Sequence, residues 1–187
     1  MKNLSKLPED IRNIVIRMPF RVGLFVSESD QTGGDESAEA ERKALENIVT
    51  FYVEDTVKGE FAHEVMEETL NHKSDWANWS VDLDKVPEEC LHIGYQLKDY
   101  IDEKEISAFK QNLIEVGIVI AQAYCEVDET STAGAKLEAY TSLFLRRFQS
   151  MFAEEPAPTH DYVLNVSKSE RGALKLLSNN LNVKVSF

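Results

Sequence analysis

The sequence predicts an all-α protein, a single-domain bundle of seven or eight helices with an internal pseudo-repeat. Apolar residues recur at helical spacing along nearly the whole chain, and prolines and paired glycines fall at the ends of these segments. The segment Val22–Ser27 is echoed about 94 residues later by Val116–Ala121. The 187 residues, of which 43% are apolar, suffice for one domain with a substantial core.

The first helices are bounded by proline and glycine. An apolar series at i, i+3 and i+4 spacing begins at Leu7, with Pro8 in the first turn. We expect Pro19 to interrupt that helix and to begin a second one, because proline lacks the N–H that an inner helical position uses. The loop 29–35 contains paired glycines and ends the second helix. A third helix follows it.

The remaining body is predicted to contain further helices and one folded loop. Gly59 separates the third helix from a fourth, and Pro87 starts a later one. The segment 74–86 holds Trp76 and Trp79 among turn residues, which predicts a loop that covers the core. The helices expected after Gly59 lie at about 60–72, 87–101, 104–124 and 132–152.

The chain is expected to divide after residue 153. Pro156 and Pro158 mark a linker there. The series Ser167-Lys168-Ser169-Glu170 matches a capping box and predicts the start of a C-terminal helix. The predicted boundaries are 1–153 for the all-helical domain, about 19–58 and 104–153 for its repeat units, and 154–187 for the linker and the C-terminal helix or tail.

The net charge of −13 limits the classes of partner. Nucleic acids and anionic membranes bind clustered Lys and Arg, so we expect neither as a partner. No apolar run approaches the roughly 18 residues of a membrane span, and the N-terminus lacks a signal-peptide core. We therefore expect a cytoplasmic protein. Cys90 and Cys125 are predicted to be buried free thiols.

Two acidic loops follow the repeated helices and are the candidate metal sites. Asp30 and Glu41 stand at the first and last positions of an EF-hand window, but Asp35 occupies the position that requires glycine, so a standard EF-hand is excluded. Oxygen ligands without histidine suit calcium or magnesium. A glycine turn before an acidic helix N-terminus explains the first loop equally well. The candidate ligands are Asp30, Asp35, Glu41, Glu126, Asp128 and Glu138.

Two Glu-x-x-His motifs raise the alternative of a di-iron site. They are Glu60-x-x-His63 and Glu89-x-x-His92. Such motifs bind iron in ferritin-like bundles when they face the bundle interior. At about 100° per residue, both fall on the side of their helix that lies away from the apolar residues. We therefore expect both motifs to face solvent, which argues against the di-iron site.

The sequence shows no arrangement that indicates an enzyme. It contains no Gly-x-Ser-x-Gly elbow and no glycine loop for phosphate. No pair of titratable residues is visibly spaced for acid–base catalysis.

An apolar helix, an acidic turn and a helix that opens with glutamate resemble the TerB-like tellurite-resistance family. The residues that carry the likeness are 23–30 with Glu41 and Ala44-Leu45, and 117–121 with Glu138. The resemblance covers about residues 10–152. It implies an all-helical fold with a duplicated unit and an acidic, metal-binding surface.

Two functions stay open at this point. Under the first, the chain is a non-enzymatic protein that binds a divalent cation through its acidic loops, with a stress-related role like that of the family it resembles. Under the second, it is an adaptor without a metal site, and its docking surface is the tryptophan loop or the tail after Pro156. The sequence indicates neither the oligomeric state nor the identity of a protein partner.

Overall fold

The computed structural model describes residues 3–29, 45–46, 49, 59–125 and 166–184. Within these residues six α-helices pack together and no strand occurs, so the predicted all-α class is confirmed. The helices are α1 (Glu9–Ser27), α2 (Glu60–Asn71), α3 (Trp76–Trp79), α4 (Val86–Leu97), α5 (Glu103–Cys125) and α6 (Lys168–Leu181). Three short 3-10 helices lie at Leu4–Lys6, Lys73–Asp75 and Leu83–Lys85. The helix predicted at 132–152 lies outside the described residues.

The two segments of the sequence repeat pack against each other, one in α1 and one in α5. A Cβ on Gly117 of α5 would lie 3.2 Å from Val26 Cγ2 and 3.7 Å from Val22 Cγ1 of α1. A Cβ on Gly23 of α1 would lie 3.4 Å from Ile120 Cγ1 of α5. Because glycine has no side chain, the two helix backbones can approach closely at both positions. The repeated glycine therefore serves the contact between these two helices.

Pro19 does not interrupt the first helix, so that prediction is wrong. Helix α1 continues past it for about two turns. The missing N–H of Pro19 removes the helical partner of the Val15 carbonyl, which costs about 3 kcal/mol in a helix interior. Tertiary contacts offset this cost, because Phe20 is fully buried and Thr69 Oγ1 of α2 donates a hydrogen bond to the adjacent Ile16 carbonyl at 2.6 Å.

A side-chain cap determines where α5 begins and so where α4 must end. The helices predicted at 60–72 and 104–124 are confirmed as α2 and α5 to within a residue. Helix α4 instead ends at Leu97, one turn before its predicted end. Asp102 explains the difference, because its Oδ1 accepts a hydrogen bond from the Lys104 N–H at 2.9 Å and so caps the start of α5.

Helix α6 belongs to the same core as the helices that precede it. Ser167 Oγ accepts from the Glu170 N–H at 3.2 Å and Glu170 Oε2 accepts from the Ser167 N–H at 2.9 Å, so the predicted capping box is confirmed. Leu177 is fully buried, and Asn180 Nδ2 donates to the Pro87 carbonyl of α4 at 2.7 Å. The C-terminal helix thus packs against α1, α4 and α5.

The inward face of α2 shows how burial of apolar side chains stabilises the helical core. Its predicted apolar side is confirmed, because every member is buried: Phe61, Ala62, Val65, Met66 and Thr69. Burial of one large apolar side chain contributes about 1.5–3 kcal/mol to stability. No described helix is long and apolar enough to cross a bilayer.

The glycine contact between α1 and α5 generates a stability prediction. Gly117→Val should destabilise the protein by about 1–3 kcal/mol, because the new side chain would crowd Val26 and Leu174. Gly172→Ala is the matched control: Gly172 lies on the exposed side of α6 with nothing within 4 Å of its missing Cβ. This change should stabilise the protein by about 0.5–1 kcal/mol through helix propensity. Urea unfolding of both variants measures the effects, and equal stability of Gly117→Val and wild type would contradict the close packing.

Candidate functional site

The six predicted metal ligands lie outside the described residues. They are Asp30, Asp35, Glu41, Glu126, Asp128 and Glu138. Their relative positions, and a calcium or magnesium site built from them, therefore stay a prediction. Within the described part of the chain, no group of three or more His, Cys, Asp and Glu side chains could hold a metal ion.

The two Glu-x-x-His motifs differ in their surroundings. Glu60, His63 and His92 are exposed, as predicted. Glu89 was expected to face solvent as well, and that prediction is wrong: its side chain is only 15% exposed. Glu89 is three residues after the buried Val86, so it lies at the border of the apolar side of α4 and faces α1. Two arginines of α1 bind it there.

A buried arginine joins α1, α4 and the segment between α3 and α4. The Arg21 side chain is 3% exposed, and its Nε donates to Glu89 Oε2 at 3.0 Å. Its Nη1 donates to the Trp79 carbonyl at 2.6 Å and to the Val81 carbonyl at 2.7 Å. Its Nη2 donates to the Asp82 carbonyl at 2.9 Å. Each of the three guanidinium nitrogens therefore has a partner within the fold.

Arg17 completes this group, one turn before Arg21 on the same helix. Its Nη2 donates to Glu89 Oε1 at 2.6 Å, so the two carboxylate oxygens of Glu89 bind two different arginines. The Arg17 side chain is 34% exposed and stands between the pair and solvent. We refer to Arg17, Arg21, Glu89 and the carbonyls of Trp79, Val81 and Asp82 as the Arg21 cluster.

The backbone of the Arg21 cluster includes a residue in the left-handed region. Asp82 has φ of 54°, a conformation that aspartate tolerates better than most residues. Its carbonyl accepts from Arg21, and its exposed carboxylate accepts from Lys85 Nζ at 2.6 Å. The hydrogen bond from Lys85, together with the positive charge of that side chain, lowers the pKa of Asp82. These contacts fix the turn that leads into α4.

The tryptophan segment covers the core, as predicted, but it forms the short helix α3 and two 3-10 helices where a loop was expected. Trp76 is buried, its ring stacks on Phe20 with centroids 4.5 Å apart, and its Nε1 donates to the Thr69 carbonyl at 3.0 Å. Trp79 is half-buried, with its centroid 6.3 Å from that of Phe20 and 6.2 Å from that of His72. Little tryptophan surface is left for a partner, which argues against this segment as the docking surface.

Three of the described carboxylates that are partly or fully buried accept hydrogen bonds from backbone N–H groups. Glu64 accepts from the N–H groups of Asn3 and Leu4, with distances between 2.9 and 3.2 Å. Glu105 Oε2 of α5 accepts from the Phe61 N–H at the start of α2, at 2.8 Å. Glu170 closes the capping box of α6. These groups hold helix N-termini, where their negative charge is favourable.

Cys90 is a buried free thiol, as predicted. Desolvation by burial raises the pKa of this thiol, and the neighbouring Glu89 adds to the effect. The uncharged thiol is a weak nucleophile, so Cys90 is a core residue of α4 and not a reactive group. The side chain of Cys125 lies outside the described part of the chain.

The exposed face of α4 is the clearest exception to the burial of apolar residues. Leu91 is 55% exposed and Tyr95, one turn further along, is 71% exposed. Tyr100, in the turn after α4, is 39% exposed. Lys98 Nζ lies 3.9 Å from the centroid of the Tyr95 ring, a cation–π contact on the same side of the helix. We call Leu91, Tyr95 and Tyr100 the α4 patch.

Sequence reasoning missed both the Arg21 cluster and the α4 patch, although each has a signal. Arg21 is the only charged residue in the run from Met18 to Val26, and a single arginine within an apolar helix indicates a buried, paired charge. Leu91 and Tyr95 repeat at i, i+4 outside the stripe formed by Cys90 and the buried residues after it. A second apolar stripe on one helix indicates a second packing surface.

Comparison with known proteins assigns neither a family nor a function to this chain. No family model, no curated protein and no solved structure matches this chain. The resemblance of residues 10–152 to TerB-like proteins therefore stays a prediction, and all-α packing by itself does not carry a function.

The Arg21 cluster predicts a large difference between two arginines that bind the same carboxylate. Arg21→Met should destabilise the protein by about 3–5 kcal/mol, because it leaves Glu89 and three carbonyls without their buried donor. Arg17→Met is the matched control and should cost less than about 1 kcal/mol, since Arg17 is partly solvated. Urea denaturation followed by tryptophan fluorescence compares them, and similar losses for the two variants would refute the structural role of Arg21.

The cation site predicted for the acidic loops can be tested without its structure. Calcium or magnesium at millimolar concentration should raise the Tm of the wild type, because a ligand that binds only the folded state stabilises it. The double variant Asp30→Ala/Glu41→Ala should lose this increase. An unchanged melting curve of the wild type, or the same increase in the variant, would exclude a site at the first loop.

Proposed function

We propose that this chain is a non-catalytic binding module that docks another protein through the α4 patch. The observation that carries the proposal is the exposure of Leu91 and Tyr95, one turn apart on a helix whose opposite side is fully buried. Large apolar side chains gathered on one exposed face are typical of protein interaction sites. Tyrosine is enriched among the residues that dominate binding energy at such sites.

The buried ionisable side chains either bind other groups of the fold or stay uncharged, which supports a binding role over a catalytic one. Arg21 donates only to fold partners, Cys90 is kept as a neutral thiol, and Glu64, Glu105 and Glu170 bind backbone N–H groups. A general acid or base needs a free proton position beside a substrate. These buried groups bind within the fold, which favours a function carried by the surface.

The partner is a different protein and not a second copy of this chain. Each copy carries a net charge of −13, and a large net charge keeps proteins apart in solution. Like charges placed opposite one another oppose association.

Site-specific photocrosslinking tests the proposal. Benzoylphenylalanine in place of Tyr95 should give a discrete crosslinked protein in the source cells, whereas the same group at the exposed Glu67 of α2 should not. A second substitution, Leu91→Ala, should lower the yield at position 95 by at least about threefold, and Val81→Ala, at another exposed apolar residue, should leave it unchanged. Equal crosslinked products at positions 95 and 67 would contradict docking at the α4 patch. A yield at position 95 that Leu91→Ala does not change would also contradict it.

The stability of these variants separates a binding defect from a folding defect. Leu91 and Tyr95 are exposed, so their replacement by alanine should change the free energy of unfolding by no more than about 0.5 kcal/mol. A loss of crosslinking without a loss of stability then reports on the surface alone.

A further inference from the structure

We infer that the exposed face of α6 binds an acidic segment of a partner protein. The inference goes beyond the proposed function, because it concerns a different helix and a partner of stated charge. Three observations carry it. The C-terminal segment is basic in an acidic chain, its basic side chains lie on one face of α6, and no described carboxylate forms an ion pair with them.

The C-terminal segment has the opposite charge to the rest of the chain. Residues 166–187 contain four of the 20 basic residues but only one of the 33 acidic residues, in a chain whose net charge is −13. The single acid, Glu170, is buried in the capping box of α6. The exposed charged side chains of α6 are therefore all positive, and they attract anionic groups that the rest of the chain repels.

Three basic side chains lie on one face of α6. Lys168, Arg171 and Lys175 are exposed. Their spacing of i, i+3 and i+7 places them within an arc of about 60° and along about 10 Å of the helix. The side of the helix opposite to them is buried, as Leu177 and Leu181 show. We call Lys168, Arg171 and Lys175 the α6 basic face.

The fold does not neutralise the α6 basic face. None of its three side chains forms an ion pair with a described carboxylate, whereas Arg17 and Arg21 both bind Glu89. Helix polarity does not explain the charges either. Lys168 is the first residue of α6, and a cation is unfavourable at the N-terminal end of a helix, which carries partial positive charge. The stability of α6 therefore does not account for these charges, which are open to an external partner.

The helix surface beside the basic side chains is accessible to a partner. Gly172 lies between Arg171 and Lys175 in sequence, with nothing within 4 Å of its missing Cβ. Leu176, one turn after Gly172, is 44% exposed. A partner segment can therefore approach the backbone at Gly172. There it would place carboxylates against Arg171 and Lys175 and an apolar side chain against Leu176.

The size of the α6 basic face favours a short acidic segment over nucleic acid or a membrane. Duplex DNA carries one charge per about 1.7 Å of its axis, and an anionic bilayer is a continuous surface, so both extend beyond the basic face. There they would meet the acidic remainder of the chain. A short run of Asp and Glu ends where the basic face ends. Carboxylates farther away than about 8 Å are largely screened from it at physiological salt.

Two peptides of about 18 residues test the sign of the partner, each long enough to form a helix on binding. They share the same leucines and differ only at the polar positions, which carry glutamate in one peptide and glutamine in the other. Fluorescence anisotropy with the full-length protein at about 0.15 M salt should show binding of the glutamate peptide. Its affinity should be at least about fivefold higher than that of the glutamine peptide, because it forms ion pairs with the basic face.

Matched variants of the protein locate the site. Arg171→Gln/Lys175→Gln should weaken binding of the glutamate peptide by at least about fivefold. Lys6→Gln/Lys104→Gln removes the same charge from two exposed lysines elsewhere and should change this affinity by less than about twofold. All four replaced residues are exposed, so urea unfolding should show both variants to be as stable as the wild type.

The outcomes separate an acidic protein segment from other anions. Equal affinity of the two peptides, or no binding of the glutamate peptide, would overturn the acidic partner. Equal losses in the two double variants would overturn α6 as its site. Single-stranded DNA of about 12 nucleotides and vesicles with about 30% phosphatidylserine are tested alongside. If either binds more tightly than the glutamate peptide, and Arg171→Gln/Lys175→Gln abolishes that binding, the partner is not an acidic protein segment. The crosslinking yield at position 95 decides separately whether the α4 patch docks a protein.

Discussion

Burial of the Arg21 guanidinium is the constraint on which the arrangement of the described helices depends. A charged group removed from water is tolerated only when a counter-charge and hydrogen-bond acceptors surround it. Arg21 obtains the counter-charge from Glu89 of α4 and the acceptors from three backbone carbonyls, those of Trp79, Val81 and Asp82. Each acceptor must therefore keep its place relative to α1. The tryptophan segment and the start of α4 are fixed together by one side chain.

This arrangement explains the division between the inside and the outside of α4. The side that carries Glu89 and Cys90 is held against α1, and Asn180 of α6 binds the Pro87 carbonyl from another direction. With its first turn and its inner side held in this way, α4 exposes the opposite side, and that side presents Leu91 and Tyr95. A helix fixed in this way offers a rigid surface, which lowers the entropic cost of binding a partner.

Much of the fold could be predicted from local sequence, because caps and periodicity act over a few residues. The capping box at Ser167 and the buried side of α2 follow from such rules. The errors at Pro19 and Glu89 have a different origin, since both depend on residues far away in sequence: Phe20 and its partners outweigh the proline, and Arg21 draws the carboxylate inward. On α4, the apolar side that packs inward could be placed from the sequence, but the exposed pair Leu91 and Tyr95 of the proposed docking surface was not recognised. The predicted cation ligands lie outside the described residues, so that part of the sequence reasoning stays a prediction.

The most direct test of this account is a double-mutant cycle between Arg21 and Glu89. The free energy of unfolding is measured for wild type, Arg21→Met, Glu89→Leu and the double variant. If the buried pair fixes α4 against α1, the two losses should be far from additive, with a coupling energy of at least about 1.5 kcal/mol. Glu89→Leu leaves the buried Arg21 charge without a counter-charge, and Arg21→Met leaves Glu89 with only the partly exposed Arg17. Losses that add to within about 0.5 kcal/mol would show that the two side chains act independently and would contradict the account.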